Sequence, residues 1–145
     1  MDKKGFRRPR RESVDYFISR MKSHSTVEDI HNLEGKENIF RITKTNEKEL
    51  IVYLTDFYIV SEAEVYDIMT ECSSINAIIT LSNWNRYSHL GRETARENNI
   101  GLFVMREFMG ALNFDGNQFI NYISPAEREA IQRGKTKKNP FPFGT

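Results

Sequence analysis

The chain has 145 residues, of which 39% are hydrophobic and 12% aromatic, a formal net charge of +1 and one cysteine, Cys72. This composition supports one domain with an apolar core and argues against wholesale disorder, and a lone cysteine excludes an intrachain disulfide, so we expect a reducing, cytoplasmic setting. No apolar run approaches the roughly 20 residues of a membrane span, and the N-terminal MDKKGFRRPRR lacks the apolar segment of a secretory signal, so we expect no membrane association.

The small net charge conceals two basic ends on an acidic body. Residues 1–11 carry +5 and residues 128–145 carry +4, which leaves −8 for residues 12–127. Basic ends suit an anionic partner such as nucleic acid, or they are solvated segments that neutralise the acidic body. We divide the chain into a basic arm over 1–11, a single α/β domain over 12–134 and a basic Pro/Phe tail over 135–145.

The first half of the domain begins with a helix and continues with strands. RESVDYFISRMKSH has apolar residues at helical spacing and predicts a helix over about 12–23. STVEDIHNLEG fits either a short helical turn or an edge strand, ending at Gly35. NIFRITK and ELIVYLT, joined by the loop TNEKE, predict a β-hairpin with strands near 38–44 and 49–55.

The second half alternates helices with short buried strands. SEAEVYDIMTEC opens with Ser61 and Glu64, a capping-box pair that predicts the start of a helix. NAIITLS and GLFVM predict buried strands, and SHLGRETARENN between them predicts a helix capped by Ser88. REFMGALN predicts a short helix, DGNQ a turn and FINYI a short strand. SPAEREAIQRG predicts a last helix that Ser124 caps and whose capping box Glu127 closes.

This order predicts an α/β fold with a mixed β-sheet flanked by helices, an α-β-β-α-β-α-β core followed by a C-terminal helix and tail. Over about residues 12–112 the order resembles the restriction-endonuclease-like (PD-(D/E)XK) superfamily, above all its Mrr-type members. The strongest part is 76–112, where that family also has an apolar strand ending in a small polar residue, a loop, a helix, a Gly-Ile-like turn and a second apolar strand.

The resemblance implies a catalytic set on the hairpin: an acid on the first strand, then an acid, one spacer and a lysine on the second. These groups would hold Mg²⁺ and polarise a water. Here the corresponding positions are Phe40 or Arg41, Tyr53 and Thr55. None of these side chains can replace the acids or the lysine, so the sequence indicates a degenerate nuclease that has no catalytic residues and no cofactor.

Displaced acids keep an active nuclease open as an alternative. Glu49 and Asp56 are the candidate catalytic residues, and Glu34 is a third acid in the same segment. Mg²⁺ would be needed only under this alternative, and all three residues are also typical of ordinary turns and strand ends. The three histidines and Cys72 have no metal-ligand spacing, so we predict no metal site from them.

Two further segments could bind a partner. The loop SNWNRY follows the end of a predicted strand, where open α/β sheets bind ligands. Trp84 offers a plane on which an unpaired base could stack and Arg86 offers a cation, although Trp84 could instead fill the core. In the tail NPFPFGT, Phe141 and Phe143 could dock on a protein partner or a second copy of the chain, or the tail is a disordered end.

We therefore expect a non-catalytic nuclease-fold protein that binds nucleic acid, or an accessory factor of a nucleic-acid-processing system. The alternatives are a protein-interaction or inhibitor module that uses the acidic body or the Phe-Pro-Phe tail, and a Mg²⁺-dependent nuclease with displaced acids. The predicted nucleic-acid contacts are Lys3, Lys4, Arg7, Arg8, Arg10, Arg11, Trp84, Arg86, Arg133, Lys135, Lys137 and Lys138.

Overall fold

The computed structural model describes residues 9–33, 35–81 and 86–134, and it confirms the predicted α/β class. The helices are α1 (Arg11–Lys22), α2 (Glu62–Glu71), α3 (His89–Glu97), α4 (Met105–Ala111), α5 (Gly116–Ile120) and α6 (Pro125–Gly134). The strands are β1 (Val27–Asn32), β2 (Ile39–Lys44), β3 (Glu49–Thr55), β4 (Ile59–Val60), β5 (Ala77–Thr80), β6 (Arg86–Tyr87) and β7 (Gly101–Val104). None of the described helices has the length and apolar character that crossing a bilayer requires.

Five strands form one mixed sheet in the order β1-β2-β3-β5-β7. The first three strands pair antiparallel, whereas β3, β5 and β7 run parallel and are joined through helices. The ambiguous segment STVEDIHNLEG is the edge strand β1, in which Ile30 lies opposite Ile42. Its charged residues Glu28 and Asp29 are exposed, which suits an edge that must not pair with another chain.

Helices cover both faces of this sheet because alternate strand residues point to opposite sides. On β3, Val52 and Leu54 pack into a core with the apolar residues of α1, α4 and α5. Tyr53, between them, packs into a second core with those of α2 and α3. The near-continuous apolar runs of β3, β5 and β7 follow from burial on both faces.

The predicted start of α3 is confirmed at its cap, and the inner face of the helix carries small residues. The Ser88 hydroxyl oxygen accepts a hydrogen bond from the Gly91 N–H at 2.9 Å. Gly91 and Ala95 are both buried. A side chain at position 91 would collide with the carbonyl oxygen of Val60, so α3 lies on β4 at a distance that only glycine permits.

A two-stranded parallel ribbon of β4 and β6 accompanies the main sheet and was not predicted. Ile59 lies opposite Arg86, and Val60 lies opposite Tyr87. The first pair is exposed and the second is buried. The ribbon therefore turns Tyr87 into the interior and leaves Arg86 on the surface.

The predicted turn DGNQ and the predicted strand FINYI are both wrong, because α5 runs from Gly116 to Ile120 and a turn follows it at Asn121. The ring of Phe119 packs edge-on against Phe103, with centroids 5.3 Å apart, and against Phe108 at 6.1 Å. A strand would place Phe119 and Asn121 on one face, whereas α5 buries Phe119 and the turn that follows leaves Asn121 exposed. Burial of the aromatic ring against two others decides the conformation.

Candidate functional site

Three of the four hairpin residues that the resemblance places at the catalytic positions are core residues, and the fourth, Arg41, is half-buried. Phe40 is buried opposite Val52, and Tyr53 and Thr55 are buried on β3. The Tyr53 hydroxyl donates a 2.6 Å hydrogen bond to the carboxylate of Glu71. These side chains pack or bond inside the protein, and none of them presents a carboxylate to solvent.

The displaced acids do not converge on the hairpin. Glu49 is exposed at the first residue of β3, and Asp56 directly follows the last residue of that strand. At ~3.3 Å per residue, the seven positions between them correspond to roughly 23 Å. Two carboxylates so far apart cannot share one Mg²⁺, which takes its ligands at about 2.1 Å. Glu34 lies outside the described residues, within which no group of three His, Cys, Asp or Glu side chains could hold a metal.

A buried polar cluster lies beside the carboxyl end of β7 and was not predicted from the sequence. It contains Tyr87 of β6, Arg92 of α3, Glu107 of α4 and Glu127 of α6, and we call it the Arg92 cluster. All four residues are buried, with Glu127 the most exposed at 8%. The cluster therefore joins four elements from the second half of the chain.

Hydrogen bonds connect the four side chains in a continuous path. Arg92 donates from Nη2 to Glu127 Oε2 at 3.0 Å and from Nη1 to the Tyr87 hydroxyl oxygen at 2.9 Å. The Tyr87 hydroxyl donates to Glu107 Oε2 at 2.6 Å. Glu107 Oε1 accepts the N–H of Val104, the last residue of β7, at 3.0 Å. The guanidinium carbon of Arg92 also lies 5.1 Å from the centroid of the Tyr87 ring.

Burial and mutual bonding set the charges of the cluster. Burial raises the pKa of Glu107 above its usual range, against the opposing effect of the hydrogen bonds from Tyr87 and Val104. Burial also raises the pKa of the Tyr87 hydroxyl, so that group stays protonated and donates. Burial alone would lower the pKa of Arg92, but the bond to Glu127 and the neighbouring charges raise it. Arg92 is therefore a permanent cation whose partners are all internal.

The Arg92 cluster is suited to anchoring α6 on the domain. The predicted capping box of α6 is half right: the Ser124 hydroxyl accepts the Glu127 N–H at 3.2 Å. The other half of the capping box is wrong. The Glu127 carboxylate pairs with Arg92 and does not bond back to the cap. A sequence signal for this pair existed, since Arg92 lies between Gly91 and Ala95 on the inner face of α3, where a cation requires an acidic partner.

Arg10 and Arg11, in the described part of the basic arm, are exposed at the start of α1. Arg10 Nε is 3.9 Å from the Glu12 carboxylate, and Arg11 Nε is 3.3 Å from that of Asp15. All four side chains are more than half exposed. Ion pairs this exposed contribute little energy, so both arginines remain available to an external anion.

Two other predicted contacts are described and lie far apart in the chain. Arg86 is exposed on the ribbon, and Arg133 is exposed in the last turn of α6. The tail residues Phe141 and Phe143 lie outside the described residues. So do the remaining predicted contacts: Lys3, Lys4, Arg7, Arg8, Trp84, Lys135, Lys137 and Lys138.

Comparison of the chain with family models, with curated proteins and with solved structures found no match in any of the three.

Proposed function

We propose that this is a non-catalytic protein of restriction-endonuclease-like fold that binds nucleic acid through its basic ends, alone or as an accessory factor of a nucleic-acid-processing system. The charge distribution carries the proposal: ends of +5 and +4 flank a body of −8. Phosphates are attracted to the ends and repelled by the body, so binding follows the backbone and does not read sequence. The half-buried free thiol of Cys72 suits a reducing, cytoplasmic compartment.

A non-catalytic role is supported by the hairpin. Buried Phe40, Tyr53 and Thr55 stand where the family's acids and lysine would be, and Glu49 and Asp56 lie at opposite ends of β3. A domain of this kind can position two basic segments on a strand without cleaving it. No Mg²⁺ is required for binding under this proposal.

The test is the salt dependence of binding. Fluorescence anisotropy would follow labelled 20-nucleotide single strands and duplexes from 25 to 200 mM salt. Changing Lys3, Lys4, Arg7 and Arg8 to glutamine should lower the slope of log K against log salt by about 3 to 4, at ~0.9 per phosphate contact on duplex DNA. The control changes two exposed cations of the domain, Arg20 and Lys22, and should alter the slope by less than about 0.5, whereas two phosphate contacts would alter it by about 1.8. No affinity for any strand at 25 mM salt would contradict the proposal.

Exposed apolar side chains favour a second candidate function, that of a protein-interaction module. Tyr58 is 67% exposed, Ile59 42% and Leu90 60%. These residues lie on or next to the ribbon, where α2 and α3 begin side by side. Light scattering of the full chain and of a variant lacking 135–145 would test self-association, with Leu90→Lys as the variant of this surface. A monomer at all concentrations would remove a second copy of the chain as the partner.

A further inference from the structure

A shallow pocket of about 270 Å³ opens between α5 and the start of α6. Its lining residues are Phe114, Gln118, Asn121, Tyr122, Ile123 and Arg128. Pockets for drug-sized ligands begin near ~300 Å³, so this one can enclose one ring of a ligand whose other groups lie at the open rim. Its walls combine two aromatic rings, two amides and a guanidinium.

The aromatic wall is held in place from two sides. The rings of Phe114 and Tyr122 lie 5.7 Å apart at 32°. The Tyr122 ring lies against the bare backbone of Gly110, where any side chain would collide with it. The carbonyl oxygen of Phe114 accepts a 2.8 Å hydrogen bond from the buried Lys44 ammonium, which also pairs with Asp115 at 2.8 Å. Phe114 itself is 38% exposed, so the platform that its ring forms with Tyr122 faces solvent.

The polar groups lie at the edge of this platform. Asn121 donates from Nδ2 to the Asn117 carbonyl oxygen at 3.0 Å, which orients its amide and leaves one further donor. Gln118 is exposed one turn earlier on α5. Arg128 donates from Nη2 to the Ile123 carbonyl oxygen at 2.9 Å, which uses one of its five donors and fixes the guanidinium at the pocket.

We infer that this pocket binds one unpaired nucleotide, with the base stacked on Phe114 and Tyr122 and a phosphate beside Arg128. A π-face, amides that can bond the edge of a base, and a guanidinium that matches phosphate are the three parts of nucleotide recognition. A base inside a duplex cannot reach such a pocket without leaving its stack. The inference rests on the proposed function for its macromolecular partner, and it adds a preference for single strands that the basic ends alone do not supply.

Two measurements on the full chain distinguish a free nucleotide from a nucleic-acid strand as the ligand of the pocket. Titration with UMP, followed by NMR, should shift the side-chain amide signals of Gln118 and Asn121. Anisotropy with a labelled dT12 strand and a 12-base-pair duplex should show that Phe114→Ala weakens single-strand binding about fivefold or more, because stacking on one ring contributes that much. Duplex binding, made by the ends, should change less than twofold. Phe114→Trp keeps the platform and should preserve binding.

Two further variants test whether an effect of Phe114→Ala is specific to the pocket. Tyr16 is an exposed aromatic residue of α1, 56% exposed, and Tyr16→Ala should leave both affinities unchanged. If Phe114→Ala unfolds the protein, Arg128→Gln on the exposed rim replaces it and should weaken the single strand more than the duplex. Unchanged single-strand affinity in the variant that folds overturns the inference, with or without amide shifts under UMP, but leaves the proposed function standing. Amide shifts under UMP without binding of any strand support a free-nucleotide site and overturn the proposed function.

Discussion

Replacing Glu127 with glutamine tests whether the Arg92 cluster holds α6 on the domain. Glu127 is 8% exposed and Arg92 is 4% exposed, and their atoms are 3.0 Å apart. Removing one partner of a buried ion pair costs about 3–5 kcal/mol, and a hydrogen bond to a charged group is worth about 1.5–3 kcal/mol. Glutamine keeps the shape and one acceptor oxygen, so we expect the free energy of unfolding to fall by about 2 kcal/mol.

Urea denaturation at pH 7, followed by circular dichroism, measures this loss. Glu129→Gln is the matched control, because Glu129 is an exposed acid of the same helix and should change stability by less than about 0.5 kcal/mol. A double-mutant cycle with Arg92→Met isolates the pair, and its coupling energy should exceed about 1 kcal/mol. Equal effects of Glu127→Gln and Glu129→Gln, or a coupling near zero, would refute the role assigned to the cluster.

Three other predictions concern distinct parts of the molecule. The hydrogen bond from Lys44 holds the pKa of Asp115 below its ordinary 3.8. The stability that this pair contributes is therefore present above about pH 4 and is lost as the pH falls through the lowered pKa. Acid titration of the free energy of unfolding should show a shallower loss for Asp115→Asn than for the unmodified chain. Plasmid incubated with Mg²⁺ or Mn²⁺ should stay intact, and cleavage abolished by Glu49→Gln or Asp56→Asn would reverse the non-catalytic proposal. Gly91→Ala pushes a methyl group into the backbone of β4 and should lower stability by about 1–3 kcal/mol in thermal unfolding.

Elements with local signals were predictable from the sequence. The cap at Ser88 and the Ser61–Glu64 pair begin α3 and α2 where predicted, and the Glu64 carboxylate accepts the Ser61 N–H at 3.0 Å. The hairpin strands 39–44 and 49–55 match within one residue. Caps and alternating burial act over three or four neighbouring residues, so the chain carries their signal locally.

Elements whose conformation depends on a distant partner were not predictable. β1 has a weak pattern of its own and becomes a strand by pairing Ile30 with Ile42. The segment FINYI is rich in aromatic and β-branched residues, which favour strands, but Phe119 buries its ring against Phe103 and Phe108 from α5. In both cases the long-range contact outweighs a weak local preference.

The candidate binding features likewise include some that the sequence predicts and some that depend on the tertiary structure. The sequence by itself determined the basic ends and the acidic body, and it placed Phe40, Tyr53 and Thr55 on the hairpin strands, because charge and residue type need no folding to be read. Only the tertiary structure decided that Arg92 meets Glu127, 35 residues away, and that Phe114 and Tyr122 form one wall of a pocket. Pairing of buried charges and closure of a pocket depend on how helices dock, and docking is set by the whole core.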